Sequence, residues 1–206
     1  MPQSRFIVLE GLEGAGKSGA AAVLRQALES RGERVHLCRE PGGTPLAEEL
    51  RRLVKDTALS EPILPETELL MMFAARCQLL GNVIRPALEA GDWVICDRFF
   101  YSTYAYQGGG RGIPDSSIDA IRHAALGDFA PGLVLLLDLD PAIGLERARG
   151  RGALDRFERE KIDFFTRVRR KYLELAATDP AFRLIDASRS RVEVEAAVLA
   201  ALPARS

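Results

Sequence analysis

Apolar positions along the chain fall into two patterns, short continuous runs and longer stretches at helical spacing. The short runs are Phe6-Ile-Val-Leu-Glu10, Arg34-Val-His-Leu-Cys38, Trp93-Val-Ile-Cys96, Leu133-Val-Leu-Leu-Leu137 and Phe182-Arg-Leu-Ile185. Runs of that length between turn residues read as strands. The Leu133–Leu137 run is the most apolar, which predicts a central, parallel strand covered on both faces. Helical spacing is found over Ala20 to Ser30, Leu46 to Lys55, Glu66 to Leu88, Ser116 to Leu126, Pro141 to Ala148, Lys161 to Ala177 and Val192 to Leu202. The Glu66–Leu88 pattern is predicted to bend or break near Gly81. Strands alternating with helices predict an α/β fold: a five-stranded parallel sheet flanked by helices, joined by right-handed crossovers. No repeat or linker divides the 206 residues, so a single domain is expected.

Composition changes that picture little. The 28 basic and 29 acidic residues nearly cancel, leaving a formal charge of −1. Such a balance gives no general pull toward nucleic acid or a membrane surface, so any phosphate binding must be local. Cys38, Cys77 and Cys96 lie in apolar runs, too far apart for a C-x-x-C pattern, and read as reduced core thiols of a cytoplasmic protein. The N-terminus runs straight into the first strand without a signal-peptide pattern, and no apolar run has the length of a membrane span.

Chemistry concentrates where strands end. After the first strand comes Gly11-Leu-Glu-Gly-Ala-Gly-Lys-Ser18, which fits G-x-x-x-x-G-K-[ST]. Glycines at that spacing let the backbone turn its N–H groups inward on a phosphate. Lys17 adds a cation at the β- and γ-phosphates, and the Ser18 hydroxyl suits Mg²⁺. The third strand ends in Asp97-Arg98, at the edge where α/β sheets bind ligands. Asp97 there either completes a Mg²⁺ shell or orients an acceptor, and Arg98 can fork a second phosphate; an ion pair capping the strand is the plainer reading. Arg39 and Glu40 end the second strand on the same edge. His36 alternates with Val35 and Leu37, which places it on a sheet face.

Two further segments stand out. Phe99 to Gly112 is aromatic and glycine-rich, holds three of the four tyrosines, and reads as a second loop zone. Arg147 to Arg156 carries arginines at 147, 149, 151 and 156 around Gly150 and Gly152. A basic run is usually a solvated surface. A glycine-hinged one also suits a lid that closes arginines on a transferring phosphoryl group and excludes water.

Together these pieces resemble bacterial thymidylate kinase. The resemblance is carried by Glu10 to Ser18, by REPGGTPLAE from Arg39 to Glu48, by FAARCQ from Phe73 to Gln78, by DRFFYSTYAYQGGGRG from Asp97 to Gly112, and by RARGRGALDRFE from Arg147 to Glu158. It spans Phe6 to about Ala187 in order. It implies a phosphoryl transfer from ATP to dTMP with Mg²⁺ between donor and acceptor, in a P-loop nucleoside monophosphate kinase fold with a lid at about 147–158. ATP would lie on Gly11, Leu12, Glu13, Gly14, Ala15, Gly16, Lys17 and Ser18, with Ser18 and Asp97 serving the metal. Glu13 would face the acceptor's 3′-hydroxyl, and Arg39 and Arg98 its phosphate. Arg76 and Thr103 would hydrogen-bond the thymine edge with Gln107 close by. Tyr106 would pack under the deoxyribose, where a 2′-hydroxyl would clash, and Phe73 would stack on the base. The resemblance also implies a homodimer.

Two departures, and one choice between the family's forms, bear on those expectations. The family's stacking Phe commonly lies four residues before the arginine; here Phe73 is three before Arg76, and Met72 holds the fourth position. Gly19 follows Ser18 where a hydroxyl residue is common, which weakens the start of the helix. The phosphate loop carries no arginine, so Lys17, Asp97 and Arg98 would be completed by Arg147, Arg149 or Arg151 from the lid. A GTP switch would need N-K-x-D, and the sole asparagine, Asn82, is followed by Val83.

Overall fold

The sheet is built outward from the first strand, β1 (Phe6–Glu10), every residue of which is buried. In this computed structural model, which describes residues 2–149 and 155–203, β1 pairs in parallel with both β3 (Trp93–Asp97) and β4 (Leu133–Asp138). The edges are β2 (Val35–Arg39) beside β3 and β5 (Phe182–Asp186) beside β4, giving the order β2-β3-β1-β4-β5. The predicted five-stranded parallel sheet is therefore present. The middle strand is β1, with β4 next to it.

Alternation along the strands divides the interior into two cores. Phe6 and Val8 of β1, Val94 and Cys96 of β3, and Val134 and Leu136 of β4 point to one face. Ile7, Leu9, Ile95, Leu135 and Leu137 point to the other. The second face is covered by Ala20, Leu24 and Leu28 of α1 (Lys17–Glu29) and Val198 of α9 (Arg191–Ala200). The first face takes Val54 of α2 (Pro45–Lys55) and Leu69, Phe73 and Leu79 of α3 (Pro65–Leu79). The expectation for the cysteines divides: all three are free thiols, but only Cys96 is buried, with Cys38 half-buried and Cys77 exposed. Cys77 lies on an exposed side of α3, which an apolar run at helical spacing does not reveal.

The bend expected near Gly81 is a π-helical turn, Leu80–Ile84, after which the helix resumes as α4 (Arg85–Glu89). Pro86 has no N–H to give to the preceding turn, so the regular ladder cannot run through. His36 is on the edge strand, its Nε2 2.8 Å from Asp92 Oδ2, as its alternation implies.

The predicted loop zone after β3 is instead helical. It forms α5 (Phe100–Thr103) and then a π-helical segment, Tyr104–Gly110. Its glycines supply space: a Cβ on Gly110 would come within 2.4 Å of the Phe164 ring, and one on Gly109 within 2.8 Å of Lys171 Cβ. Both neighbours belong to α8 (Ile162–Thr178), which packs tightly along this segment. Glycine-rich composition here marks close helix approach, a use that loses to turn chemistry when only the sequence is weighed. The remaining helices are α6 (Asp115–Leu126) and α7 (Pro141–Arg149).

Candidate active site

The phosphate loop begins where β1 stops, and its backbone decides where the helix can start. Gly14 and Gly16 have φ of 77° and 90°, values that side chains with a Cβ rarely adopt. Gly16 caps α1 in the left-handed region with no side-chain bond to the helix N-terminus. The helix therefore starts at Lys17, three residues before the predicted Ala20, despite Ser18 and Gly19. Its first turn borders an open cavity of about 330 Å³, whose lining includes Glu13, Gly14, Gly16, Lys17, Ser18, Asp97, Arg98 and Arg147. A helix N-terminus in that position attracts an anion.

Lys17 is held ready inside the loop. Its Nζ donates to the carbonyl oxygens of Gly11 (3.0 Å) and Leu12 (2.9 Å). Burial, and then the charge of Arg98, lower its pKa to about 8, against the opposing pull of Asp97, Glu13 and Glu10.

Arg98 has φ of 73°, the one non-glycine residue in the left-handed region among the described residues. Strain of that kind persists only where surrounding bonds fix it. Here Nη1 donates to Ser102 Oγ (3.2 Å) and Tyr172 Oη (3.1 Å), and Nη2 to Glu13 Oε1 (2.8 Å) and Tyr106 Oη (3.0 Å). Tyr106 Oη in turn donates to Glu13 Oε2 at 2.7 Å. Glu10, wholly buried at the end of β1, accepts from Ser102 Oγ (2.6 Å), Tyr172 Oη (2.8 Å) and the Phe99 backbone N–H (2.9 Å). Burial pushes the Glu10 pKa up, and the nearby Arg98 charge acts against that.

A second cavity, about 110 Å³, opens on the other side of Arg98. Arg39, Glu40, Arg51, Met72, Ser102, Tyr106, Gln107 and Phe157 contribute to its wall. Glu13, Lys55, Asp97, Arg98 and Asp155 line both cavities, so the two spaces meet at these five residues. Arg39 reaches the wall with its Nη2 on Glu48 Oε1 and Oε2 (3.0 and 2.9 Å). Arg51 donates to Pro41 O at 2.8 Å.

The residues expected at the base divide here. Gln107 lines the cavity, as does Met72, but Phe73, Arg76 and Thr103 do not. Arg76 is buried beside it, with Nε 2.7 Å from Glu40 Oε2 and Nη1 3.0 Å from Thr103 Oγ1. Its guanidinium carbon lies 4.7 Å from the Phe73 ring centre. Phe73 is thus the floor under Arg76, and Met72 is the member of that helical turn which reaches the cavity. Burial raises the Glu40 pKa to about 7 even with Arg76 beside it.

Four buried polar atoms at this junction lack a partner among the described residues: Glu40 Oε1, Arg76 Nη2, Asp97 Oδ1 and Gln107 Oε1. An unpaired buried polar group costs about 1–3 kcal/mol, so a cluster of them beside a cavity is the mark of a ligand site. Ser18 and Asp97 both line the cavity at the phosphate loop, and two protein oxygens with phosphates would suit Mg²⁺.

Of the arginines expected to act in phosphoryl transfer, Arg147 lines the cavity at the phosphate loop, its Nη1 near Gly14 O (3.4 Å) and Ala187 O (3.3 Å). Arg149 closes α7, but its side chain and the whole of Arg151 lie outside the described residues. Where description resumes, Lys55 Nζ holds Asp155 Oδ2 at 2.6 Å and Arg156 Nε donates to Val54 O at 2.7 Å. Sequence reasoning passed over Arg51, Lys55, Asp155 and Phe157. The first two are four residues apart on one face of α2, and that spacing of two cations was the available signal.

A family model described as thymidylate kinase matches residues 9–198. The chain is 52% identical to the thymidylate kinase of Idiomarina loihiensis over 198 residues, 96% of each chain. It is 50% identical to that of Shewanella loihica over 200 residues, 97% of this chain and 95% of the relative. The crystal structure of the thymidylate kinase from Ehrlichia chaffeensis superposes with a TM-score of 0.74 at 30% identity, covering 95% of both chains. The chain belongs to the thymidylate kinase family.

Proposed function

We propose that the two joined cavities divide the thymidylate kinase reaction between them, ATP lying on the phosphate loop and dTMP in the smaller space beyond Arg98. The observation that carries this is the sharing of five residues, Glu13, Asp97 and Arg98 among them, by both walls. A phosphoryl group passing from one nucleotide to the other must cross there. Lys17 and the start of α1 bind the donor's phosphates, and Arg147 covers them from the side of Ala187. Arg39, Arg51 and Arg98 converge on the acceptor phosphate, holding it in line for attack. Arg149 and Arg151 complete the charge on the transferring group from the lid at 147–158.

Ser18 and Asp97 are the residues that would hold Mg²⁺, which neutralises charge on the phosphate oxygens when bound. Glu13, anchored by Arg98 and Tyr106, faces the acceptor sugar, and Tyr106 fills the space that a 2′-hydroxyl would need. The unpaired Arg76 Nη2 and Gln107 Oε1 supply a donor and an acceptor for the base edge, with Thr103 holding Arg76 in place. Met72 takes the base face, with Phe73 beneath Arg76.

An ADP-release assay across the nucleoside monophosphates tests this reading. The expected result is dTMP as the best acceptor, and another acceptor turning over faster would refute it. The same proposal includes a single kinase domain in the cytoplasm. No described helix is long and apolar enough to cross a membrane. It also includes a homodimer through α3 and α6, where exposed Leu70 borders a groove with Leu69, Ile113 and Ile121. Light scattering that returned only monomer mass would remove the dimer.

A further inference from the structure

One group on the acceptor cavity is oriented from behind the wall. Gln107 is fully buried, and its Nε2 donates to Glu68 Oε1 at 2.7 Å. Its Oε1 has no partner among the described residues. Glu68 lies in the first turn of α3 and is itself wholly buried, whereas Glu66 in the same turn is exposed. A favourable charge at the helix N-terminus is met by Glu66, so it does not account for sinking a second carboxylate into the interior.

The surroundings of Glu68 do. Arg156 Nη2 bonds to Glu68 Oε2, and Arg111 Nε approaches Oε1 at 3.4 Å. Arg111 and Arg156 are pinned in turn, by Glu160 and by Val54 O respectively. A carboxylate between two guanidinium groups offers acceptors only. The carboxamide next to it must then turn its NH₂ inward and its carbonyl toward the cavity. The reverse orientation would set a carbonyl against a carboxylate and leave the NH₂ facing the ligand.

We propose that Glu68 is a specificity-determining positioning residue that locks Gln107 as an acceptor and so selects a base edge presenting an N–H. The N3–H of thymine or uracil satisfies such a group. Cytosine presents a lone pair at N3 and meets the Gln107 oxygen with repulsion, both atoms remaining unpaired. The inference rests on the base lying against Gln107, as argued above. Arg156 belongs to the segment that follows residues 150–154, so the lock also ties the base-reading amide to the far end of the lid.

The test is the ratio of kcat/KM for dTMP to that for dCMP in the wild type, Glu68→Gln, Gln107→Met and the double variant. A glutamine at 68 can present its own NH₂ and releases the Gln107 amide to turn over. The expected result is a tenfold or greater fall in the ratio for Glu68→Gln, chiefly through a higher KM for dTMP, with the double variant no worse than Gln107→Met alone. A ratio within twofold of wild type in Glu68→Gln, where Gln107→Met lowers it, overturns the role of Glu68 and leaves the base placement standing. An unchanged ratio in Gln107→Met overturns the base placement and this inference with it. Should Glu68→Gln not fold, the wild-type enzyme decides. Its Gln107 side-chain NH₂ signals, assigned by their loss in Gln107→Met, are expected to include one downfield, slowly exchanging proton. Exchange at the rate of a free amide would overturn the lock.

Discussion

Glu13 and Arg98 close a 2.8 Å ion pair at the point where the donor and acceptor cavities meet. The pair joins an otherwise unassigned position of the phosphate loop to the residue after β3, and Tyr106 Oη bonds to both partners. Arg98→Ala removes the cation and leaves Glu13 without its counter-charge. With it goes a charge-assisted contact to the acceptor phosphate, worth about 1.5–3 kcal/mol, roughly tenfold to a hundredfold or more in kcat/KM for dTMP. The fold is expected to persist, since Arg98 lies at the cavity. A purified Arg98→Ala enzyme forming ADP with dTMP at the wild-type rate would refute the assignment.

Tyr106 acts in the same cluster by a different means. Its ring lies edge-on to Phe157 and Phe164, at 6.1 Å from each, so its position in the cavity wall is fixed. Tyr106→Ala opens space below the sugar, and the preference for dTMP over its ribonucleotide counterpart is expected to shrink. Steady-state kinetics with both acceptors measure this, and an unchanged ratio would remove Tyr106 as the sugar filter.

The order of strands and helices was legible because each buried run is short, apolar and followed by helical spacing. The sheet edge that carries the candidate site was legible too, since the phosphate loop follows β1 and Asp97-Arg98 closes β3. Two things were not. The segment Tyr104–Gly110 is helical because Gly109 and Gly110 leave room for Phe164 and Lys171, partners more than fifty positions away in the chain. The choice of Met72 over Phe73 at the cavity depends on how α3 is rotated. Adjacent positions on a helix differ by about 100°, and an apolar pair does not reveal which of its members faces a pocket.

Lys17 gives a pH prediction. Its pKa near 8 means that the free enzyme loses this charge above that pH, while bound phosphates favour the charged form. ATP binding must then take up a proton, and kcat/KM for ATP falls as pH rises. Between pH 8.5 and 9.5 the expected drop is about eightfold, because the charged fraction shrinks almost tenfold per unit well above the pKa. The same shift acts on the fold with opposite sign. A lysine held below its ordinary 10.5 destabilises the folded state while charged, and that penalty fades between pH 8 and 10.5. A flat kcat/KM for ATP up to pH 9.5 would contradict the placement of Lys17, as would an active Lys17→Ala enzyme.

Gly110 tests the packing that turns the tyrosine-rich segment into a helix. Alanine there puts a Cβ 2.4 Å from the buried Phe164 ring, too close without displacing α8. Overpacking of this kind costs about 1–3 kcal/mol. For a chain of this size each kcal/mol shifts Tm by about 2–4 °C. Gly110→Ala is therefore expected to melt several degrees below the wild type in a calorimetric scan, and an equal Tm would show that the segment is free to move away from α8.

Met72 and Phe73 separate ligand contact from support. Met72 lines the acceptor cavity, whereas Phe73 is buried with Arg76 over its ring at 4.7 Å. Met72→Ala removes a wall of the base site, so KM for dTMP is expected to rise. Phe73→Leu keeps a buried apolar side chain but loses the face on which the Arg76 guanidinium rests, and with it about 0.5–2 kcal/mol of cation–π attraction. Its effect is expected in Tm first, with KM for dTMP moving less than in Met72→Ala. If Phe73→Leu instead raises KM further than Met72→Ala at an unchanged Tm, then the aromatic ring itself meets the base, and α3 turns when the acceptor binds.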